Sequence, residues 1–221
     1  KRIVKFIGNK NIRIVLDIGA HKGEFLNHIK KIKSIRKVYS LEPQKKIFNE
    51  LLKEIDNKKF FAYNIAISNN NGKQKMQIND FSMTSTLSKL NEKSQYYKIK
   101  NLIVGNKKKK FEYIKTEKLD FFTKKRKLKN IDLLKIDTEG HELNVVKSGL
   151  KTLKNTKYIL VEFRQNDLYL NYSPHALNKI VIKNKFKLVK NFKFPMFSME
   201  DRLYRNNSIK WKFVLSQDLM V

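Results

Sequence analysis

The chain has 221 residues, of which 41% are hydrophobic, which is enough for an ordinary core, so we expect one domain over residues 1–221. The absence of cysteine excludes disulfides, thiolate nucleophiles and cysteine-ligated zinc sites. The 49 Lys and Arg residues against 20 Asp and Glu residues give a net charge of +29. A positive charge of this size is typical of proteins that bind nucleic acid or an anionic membrane. It also results when lysine accumulates at tolerant surface positions, and we favour this second interpretation.

No apolar run approaches the roughly 20 residues that a membrane-spanning helix needs. The first residues, KRIVKFIGNK, also lack the apolar region of a secretory signal peptide. We therefore expect a cytoplasmic protein with no membrane span.

The first part of the chain alternates predicted strands with predicted helices. Apolar and β-branched runs at 12–18, 37–41 and 60–67 indicate buried strands. The helical spacing of apolar residues predicts helices at 24–32 and 44–55. Strands that are separated by single helices pair in parallel through right-handed crossovers, so this part predicts a parallel sheet.

Residues 68–117 interrupt this alternation. The turn signal Asn69-Asn70-Asn71-Gly72 precedes an alternating segment at 73–78 and then a polar stretch rich in Ser and Thr. We predict an insertion that consists of a hairpin and a loop.

The alternation resumes after residue 117. The apolar pattern predicts helices at 119–123, 143–150 and 174–183, and strands at 131–136, 158–163, 186–190 and 211–215. About seven strands with helices on both faces make an open, doubly wound, mostly parallel sheet of the α/β class. Residues 164–221 are expected to complete this sheet and to contribute to the substrate region.

The strand at 12–18 leads into a loop suited to bind a ligand, VLDIGAHKGEF. Gly19 would let the backbone approach a ligand, Ala20 would keep the wall small, and Gly23 would allow the helix to pack tightly on the strand. The carboxylate of Asp17 would accept charge-assisted hydrogen bonds from an ammonium group. Ligands of open α/β sheets bind at this edge, although glycines after a strand also occur in plain tight turns.

A second carboxylate follows the next predicted strand, in Ser40-Leu41-Glu42-Pro43. In nucleotide-binding α/β domains, an acid at this position holds the ribose hydroxyls with both of its oxygens. The alternative is a solvated glutamate at a helix start.

These segments belong to a set that resembles the FkbM family of methyltransferases over roughly residues 12–163. The set comprises DIGAHKGEF, SLEP, NIAISNNNG, SMTSTL and IDLLKIDTEGHELNVVKSG followed by ILVEF. The resemblance implies the seven-stranded fold of S-adenosylmethionine-dependent methyltransferases, with residues 12–163 as the cofactor-binding and catalytic core. His21 is a departure, because many methyltransferases have a glycine there.

The resemblance also implies a site for S-adenosylmethionine. Asp17, Gly19 and Ala20 would surround the methionine end, and Glu42 would hold the ribose. The residues beside the adenine would be Asn64, Ala66 and Ile67, and Gly23 and Asp137 complete the implied cofactor-binding set.

Residues 134–142, LKIDTEGHE, carry the best candidate catalytic cluster. Asp137 and Glu139 would lie at the mouth of the cleft, and His141 would lie in the first turn of the next helix. Each could take the proton of a hydroxyl that attacks a sulfonium methyl group, and a helix N-terminus would keep His141 neutral. The alternative is that Glu139 complements the helix start while His141 points to solvent.

Glu162 ends the strand at 158–163, where it would either orient the substrate or pair with Arg164. Asp137, Glu139 and Glu162 also offer oxygen ligands for a divalent cation. Because their spacing does not distinguish a cation site from a metal-free one, we assign no metal.

The segment SMTST, residues 82–86, matches the short Ser-rich stretch of the family. Ser82, Ser85 and Thr86 would form a lid or a substrate-binding loop. The alternative is a plain polar loop.

These features predict methyl transfer from S-adenosylmethionine to a sugar, glycoconjugate or other small-molecule hydroxyl, by alignment and modest base assistance. The positive charge keeps nucleic-acid methylation, of RNA above all, as an alternative. The chain lacks the Asn/Asp-Pro-Pro-aromatic motif of amino-methylating enzymes, because its prolines are Pro43, Pro174 and Pro195. A non-catalytic basic binding module on the same fold is the third hypothesis.

Overall fold

A computed structural model describes residues 2–8, 10–79, 82–104, 110–194 and 199–209. The strands in these ranges are β1 Ile14–Ile18, β2 Lys37–Leu41, β3 Phe60–Tyr63, β4 Ala66–Ile67, β5 Gly72–Ile78, β6 Lys110–Glu117, β7 Ile131–Ile136, β8 Thr156–Arg164, β9 Phe186–Phe194 and β10 Met199–Asn206. The α-helices are α1 Arg2–Gly8, α2 Glu24–Ile29, α3 Lys45–Leu51, α4 Gln95–Val104, α5 Leu119–Lys125, α6 Glu142–Lys147, α7 Leu150–Lys154 and α8 Pro174–Lys183. Short 3-10 helices cover Leu52–Glu54 and Ser82–Thr84.

Seven strands form a central sheet in the order β3-β2-β1-β7-β8-β10-β9. The neighbours from β3 to β8 pair in parallel, whereas β10 runs antiparallel to both β8 and β9. The predicted doubly wound, mostly parallel α/β fold is therefore confirmed. The strand order reverses between β1 and β7, which is where ligands bind in such sheets.

Two apolar clusters cover the two faces of this sheet, and β1 contributes to both because successive side chains of a strand point to opposite faces. Leu16 and Ile18 pack on one face with residues of α5, α6 and α8. Val15 packs on the other face with residues of α2 and α3. Burial on both faces explains why the central strands are nearly continuous apolar runs in the sequence.

The helix at 174–183 was predicted with the bounds that α8 shows, because its start is encoded locally. The Ser173 hydroxyl accepts a hydrogen bond from the backbone N–H of Ala176, and Pro174 occupies the first turn, where its missing N–H has no cost. The helices predicted at 24–32 and 44–55 are shorter in the structure, where they form α2 and α3. The one at 143–150 is divided into α6 and α7 near Gly149, which packs against Leu119.

Residues 68–117 form the predicted insertion, in which β5 and β6 pair antiparallel. The turn at 68–71 connects β4 to β5, but β6 lies between these two strands in a second sheet of order β4-β6-β5. The small cluster of Ala66, Met76 and Ile114 joins all three strands, so packing overrides the local turn signal. The strand predicted at 60–67 is accordingly split, with β3 in the central sheet and β4 in the second one.

β10 was not predicted, because its sequence MEDRLYRN is mostly charged or polar. It is a strand through its long antiparallel pairing with β8 and β9.

The strand predicted at 211–215 lies outside the described residues. Within the described ranges, the helices lack the length and apolar character that a bilayer crossing requires.

Candidate active site

A cavity of about 370 Å³ opens at the carboxyl ends of the parallel strands. It extends from the end of β2, past the ends of β1 and β7, to β8 and the first residues of β10. Its size is that of a pocket for a single small ligand or cofactor.

The β2 end of the cavity combines the Glu42 carboxylate with an apolar wall formed by Leu41, Pro43 and residues 65–67. Glu42 is buried, and its Oε2 accepts a hydrogen bond from the backbone N–H of His21 at 3.1 Å, while Oε1 accepts one from Gln44 at 2.8 Å. Burial raises the pKa of Glu42 to about 7, although both hydrogen bonds oppose this shift. The two backbone donors orient the carboxylate and leave acceptor capacity on each oxygen.

The apolar wall includes Ala66 and Ile67, as expected, and also Ile65, which sequence reasoning missed. Asn64 does not line the cavity. Its side-chain amide donates to the carbonyl oxygens of Glu42 and Pro43, both at 2.9 Å. Asn64 therefore holds the loop that carries Glu42, and the predicted contact with an adenine is corrected to a supporting position.

Residue 19 must be a glycine because the ends of β1 and β7 lie very close together there. Its φ is +84°, and a Cβ there would lie 1.8 Å from the carbonyl oxygen of Asp137. The expected reason, close approach to a ligand, is therefore secondary, although Gly19 also lines the cavity. Ala20 and Gly23 do not line it, because Ala20 packs in the core and a Cβ on Gly23 would face Leu51 of α3 at 3.1 Å.

Asp17 lies behind the cavity wall and is fully buried. Its Oδ1 is 3.3 Å from Nζ of Lys135, which also lies 3.0 Å from Oδ2 of Asp137. Burial raises the pKa of Asp17, and the Lys135 ammonium opposes this shift. The predicted contact between Asp17 and a ligand ammonium is thus replaced by an internal ion pair, through which Asp17 anchors Lys135.

Glu139 and Glu162 share one cation, Arg164. Its Nη2 lies 2.7 Å from Oε1 of Glu139 and 3.1 Å from Oε2 of Glu162, and Tyr169 donates a hydrogen bond to Oε2 of Glu139. Burial and the nearby Asp137 raise the pKa of Glu162, whereas Arg164 lowers it. Both glutamates line the cavity, so Glu162 pairs with Arg164, as one alternative predicted, and also faces the site.

His141 lines the cavity but is a poor proton acceptor. Its Nε2 is hydrogen-bonded to the Ser68 hydroxyl at 2.9 Å, and its Nδ1 lies 3.2 Å from the side-chain amide of Asn144. Burial lowers the pKa of His141 to about 4. The ring is neutral as expected, but because of burial, and its hydrogen bonds do not favour the predicted role as a base.

One oxygen from each of Asp137, Glu139 and Glu162 lies within 4.8 Å of the others, which is compact enough to surround a small cation. These three carboxylates already have ion pairs with Lys135 or Arg164. The local charge therefore favours side-chain cations as their partners.

Residues 82–87, which we call the strap, form another wall of the cavity through Ser82, Met83, Ser85 and Leu87. The Ser82 hydroxyl is hydrogen-bonded to His21 Nε2 at 2.8 Å. Thr86 faces away from the cavity, and its hydroxyl donates to the carbonyl oxygen of Glu139 at 2.6 Å. The predicted substrate contact of Thr86 is corrected to a tether, while Ser82 and Ser85 remain in position for one.

Two cavity residues come from the unpredicted strand β10, Met199 and Asp201. Asp201 pairs in register with Glu162 of β8. No local signal in the sequence marks Asp201, because its place at the site depends on a strand pairing between distant segments. We call Asp137, Glu139, Glu162 and Asp201 the acidic wall.

Several solved structures share this fold, among them proteins with bound S-adenosyl-L-methionine or S-adenosyl-homocysteine. The fibrillarin pre-rRNA processing protein of Methanococcus jannaschii is 13% identical, with a TM-score of 0.52 over 89% of this chain and 67% of that one. Aeropyrum pernix fibrillarin, with natively bound S-adenosyl-L-methionine, is 12% identical, with a TM-score of 0.51 and the same coverage of 89% and 67%. M. capricolum TrmK, in complex with S-adenosyl-homocysteine, is 11% identical, with a TM-score of 0.50 over 94% and 69% of the two chains.

No curated protein matches the chain. The Methyltransferase FkbM domain matches residues 17–190, which include the end of β1, the loop that carries Glu42, the strap and most of the acidic wall. The chain belongs to the FkbM methyltransferase family, whose cofactor is S-adenosylmethionine.

Proposed function

We propose that the protein transfers the methyl group of S-adenosylmethionine to a hydroxyl oxygen of a sugar, a glycoconjugate or another small molecule. The observation that carries this proposal is one cavity that joins the Glu42 carboxylate to the acidic wall. A carboxylate with two free acceptor sites suits the ribose diol of a nucleoside. Carboxylates further along suit the positive charges of a sulfonium amino acid.

The residues present fit this cofactor. Glu42 would hold the ribose, and the apolar residues 65–67 would contact the adenine. The methionine ammonium would lie at Asp137, whose side chain is 39% exposed, rather than at the buried Asp17. Lys135 and Asp17 would then fix the direction of the Asp137 carboxylate.

When bound, S-adenosylmethionine supplies a methyl group on a positively charged sulfur, and the acceptor oxygen forms its new bond to carbon as the carbon–sulfur bond breaks. The chain contributes alignment and charge. Arg164 holds Glu139 and Glu162 in place, and the strap forms one wall of the cavity. Carboxylates already fixed by paired cations need little reorganisation during the reaction.

The charge of the acidic wall favours an uncharged acceptor over a phosphorylated one. Its two neighbouring cations, Lys135 and Arg164, are already occupied by carboxylates. A phosphate brought to this wall would meet like charge at short range. A hydroxyl of a sugar or another small molecule does not have this cost, and it is therefore our first choice of acceptor.

RNA methylation is the second candidate, favoured by the net charge of +29. In that case, lysines outside the cavity would bind the phosphates, and RNA affinity would fall steeply with salt. Weak RNA binding at physiological salt, together with methylation of sugar hydroxyls, would exclude it.

Calorimetry tests the cofactor part of the proposal. We expect saturable binding of S-adenosylmethionine and of its demethylated product to the wild-type chain, and about tenfold weaker binding to Glu42→Gln. Asn64→Ala, which changes the supporting residue, is the matched comparison and should lose less. A folded wild-type chain that binds neither compound would refute the proposal.

Mass spectrometry tests the acceptor part. Incubation with S-adenosylmethionine and a panel of free sugars, glycolipids and small-molecule alcohols should yield a product with one added methyl group on oxygen. RNA treated in parallel should remain unmethylated. Methylated RNA with no methylated hydroxyl compound would overturn the acceptor assignment.

A further inference from the structure

Asp201 lies at the opposite end of the cavity from Glu42. Because β10 runs antiparallel to β8, its first residues reach the same sheet edge as the carboxyl ends of the parallel strands. β2 and β10 are separated by β1, β7 and β8. Four inter-strand spacings of about 4.8 Å place the two carboxylates on the order of 19 Å apart along the sheet. A cofactor held at Glu42 would thus leave the Asp201 end for the acceptor.

Asp201 is surrounded by few groups that could neutralise it. Its register partner on β8 is Glu162, and its register partner on β9 is Phe192. From β7, Lys135 attracts its charge and Asp137 repels it. No hydrogen bond and no ion pair within 4.0 Å joins the carboxylate of Asp201 to another described residue, while Lys135 is held by Asp17 and Asp137.

The other acids and histidines of the cavity have partners. Asp137 is paired with Lys135, and Glu139 and Glu162 are paired with Arg164. A carboxylate that is paired with a cation is a weaker base. Both ring nitrogens of His141 are hydrogen-bonded, and those of His21 bond Glu24 and Ser82. Among the described carboxylates of the acidic wall, Asp201 is therefore the one best able to accept a proton. Glu42 also lacks a cation, but it lies at the other end of the cavity and accepts hydrogen bonds from two backbone N–H groups.

We propose that Asp201 is the general base that takes the proton of the acceptor hydroxyl, an inference that rests on the proposed function. As an electron pair of the hydroxyl oxygen forms the bond to the methyl carbon, the pair of the carbon–sulfur bond leaves with sulfur. The O–H proton passes to a carboxylate oxygen of Asp201 and then to solvent. No further reactant is needed.

The electrostatics of the site agree with this role. Burial and Asp137 raise the pKa of Asp201 to about 7, although Lys135 opposes the shift. A base is most effective when its pKa is close to the working pH, because it is then both available and strong enough. A substantial fraction of Asp201 is a carboxylate at neutral pH.

Asp201→Asn is the direct test, with Asp167→Asn as the matched control because Asp167 is exposed and outside the cavity. We expect kcat to fall about 100-fold or more in Asp201→Asn, and affinity for S-adenosylmethionine to stay within about twofold. The rise of wild-type kcat through about pH 7 should disappear in the variant. A kcat within about threefold of wild type would overturn the inference while leaving the proposed function intact.

A second measurement needs no acceptor. In protein labelled with carbon-13 at the aspartate carboxyls, one signal should titrate near pH 7 and be absent from Asp201→Asn. If the Asn variant does not fold, Asp201→Ser with added formate replaces it, and recovered activity would support the base role. An Asp201 signal that titrates below about pH 5 would refute it.

Discussion

The two ends of the cavity hold their carboxylates in different ways. At the β2 end, the Glu42 oxygens accept hydrogen bonds from two backbone N–H groups. One belongs to His21, and the other belongs to Gln44, which follows Glu42 by two residues. In the acidic wall, Asp137, Glu139 and Glu162 are held by the side-chain cations Lys135 and Arg164. The β2 end is therefore kept in shape by its loop, whereas the acidic wall depends on two cations, whose removal would leave buried charges unpaired.

Removal of Arg164 is expected to have the largest effect. In Arg164→Met, Glu139 and Glu162 lose their shared cation, which should cost about 3–5 kcal/mol of unfolding free energy. Urea denaturation measures this change. Arg205→Met, at an exposed position on β10, should change stability by less than about 0.5 kcal/mol. Equal losses in the two variants would show that the acidic wall does not depend on Arg164.

Glu42→Gln should change the pH dependence of stability. The pKa of Glu42 is raised to about 7 in the folded state, so the folded chain binds a proton that the unfolded chain releases near pH 4.5. Wild-type stability therefore falls as pH rises through this interval, and the Gln variant lacks this contribution. Relative to wild type, the variant should gain up to about 3 kcal/mol between pH 4.5 and pH 7. A constant difference across this range would contradict the buried, proton-binding Glu42.

Chelation should have the smallest effect, because Asp137, Glu139 and Glu162 already have ion pairs with Lys135 or Arg164. Treatment with EDTA should leave methyl transfer unchanged within about twofold, and added Mg²⁺ or Mn²⁺ should not raise it further. Activity that is lost with EDTA and restored by Mg²⁺ would instead make Asp137, Glu139 and Glu162 metal ligands.

Much of the fold could be predicted where the signal is local. The central strands β1, β2 and β7 follow from apolar runs, and α8 follows from Ser173 and Pro174 at its start. β10 could not be predicted in this way, because its polar sequence becomes a strand only beside β8 and β9. The pairing of β5 with β6 rather than β4 has the same cause, a contact between distant segments.

The residues of the site also separate into those with a local sequence signal and those placed by contacts between distant segments. Glu42, Gly19 and the carboxylates after β7 could be recognised because strand-end loops carry their own residue pattern. The burial of Asp17 against Lys135, the hydrogen bonds of His141 and the place of Asp201 could not be recognised.

The amino-acid sequence by itself thus determined the βα units, the family and the loop that carries Glu42, because each depends on neighbours along the chain. Only the tertiary structure decided that Asp17 and Glu139 are paired with cations of other segments and that Asp201 of the acidic wall is not paired. The pairs of Lys135 with Asp17 and of Arg164 with Glu139 join different segments of the chain, and no spacing within one segment encodes their distances.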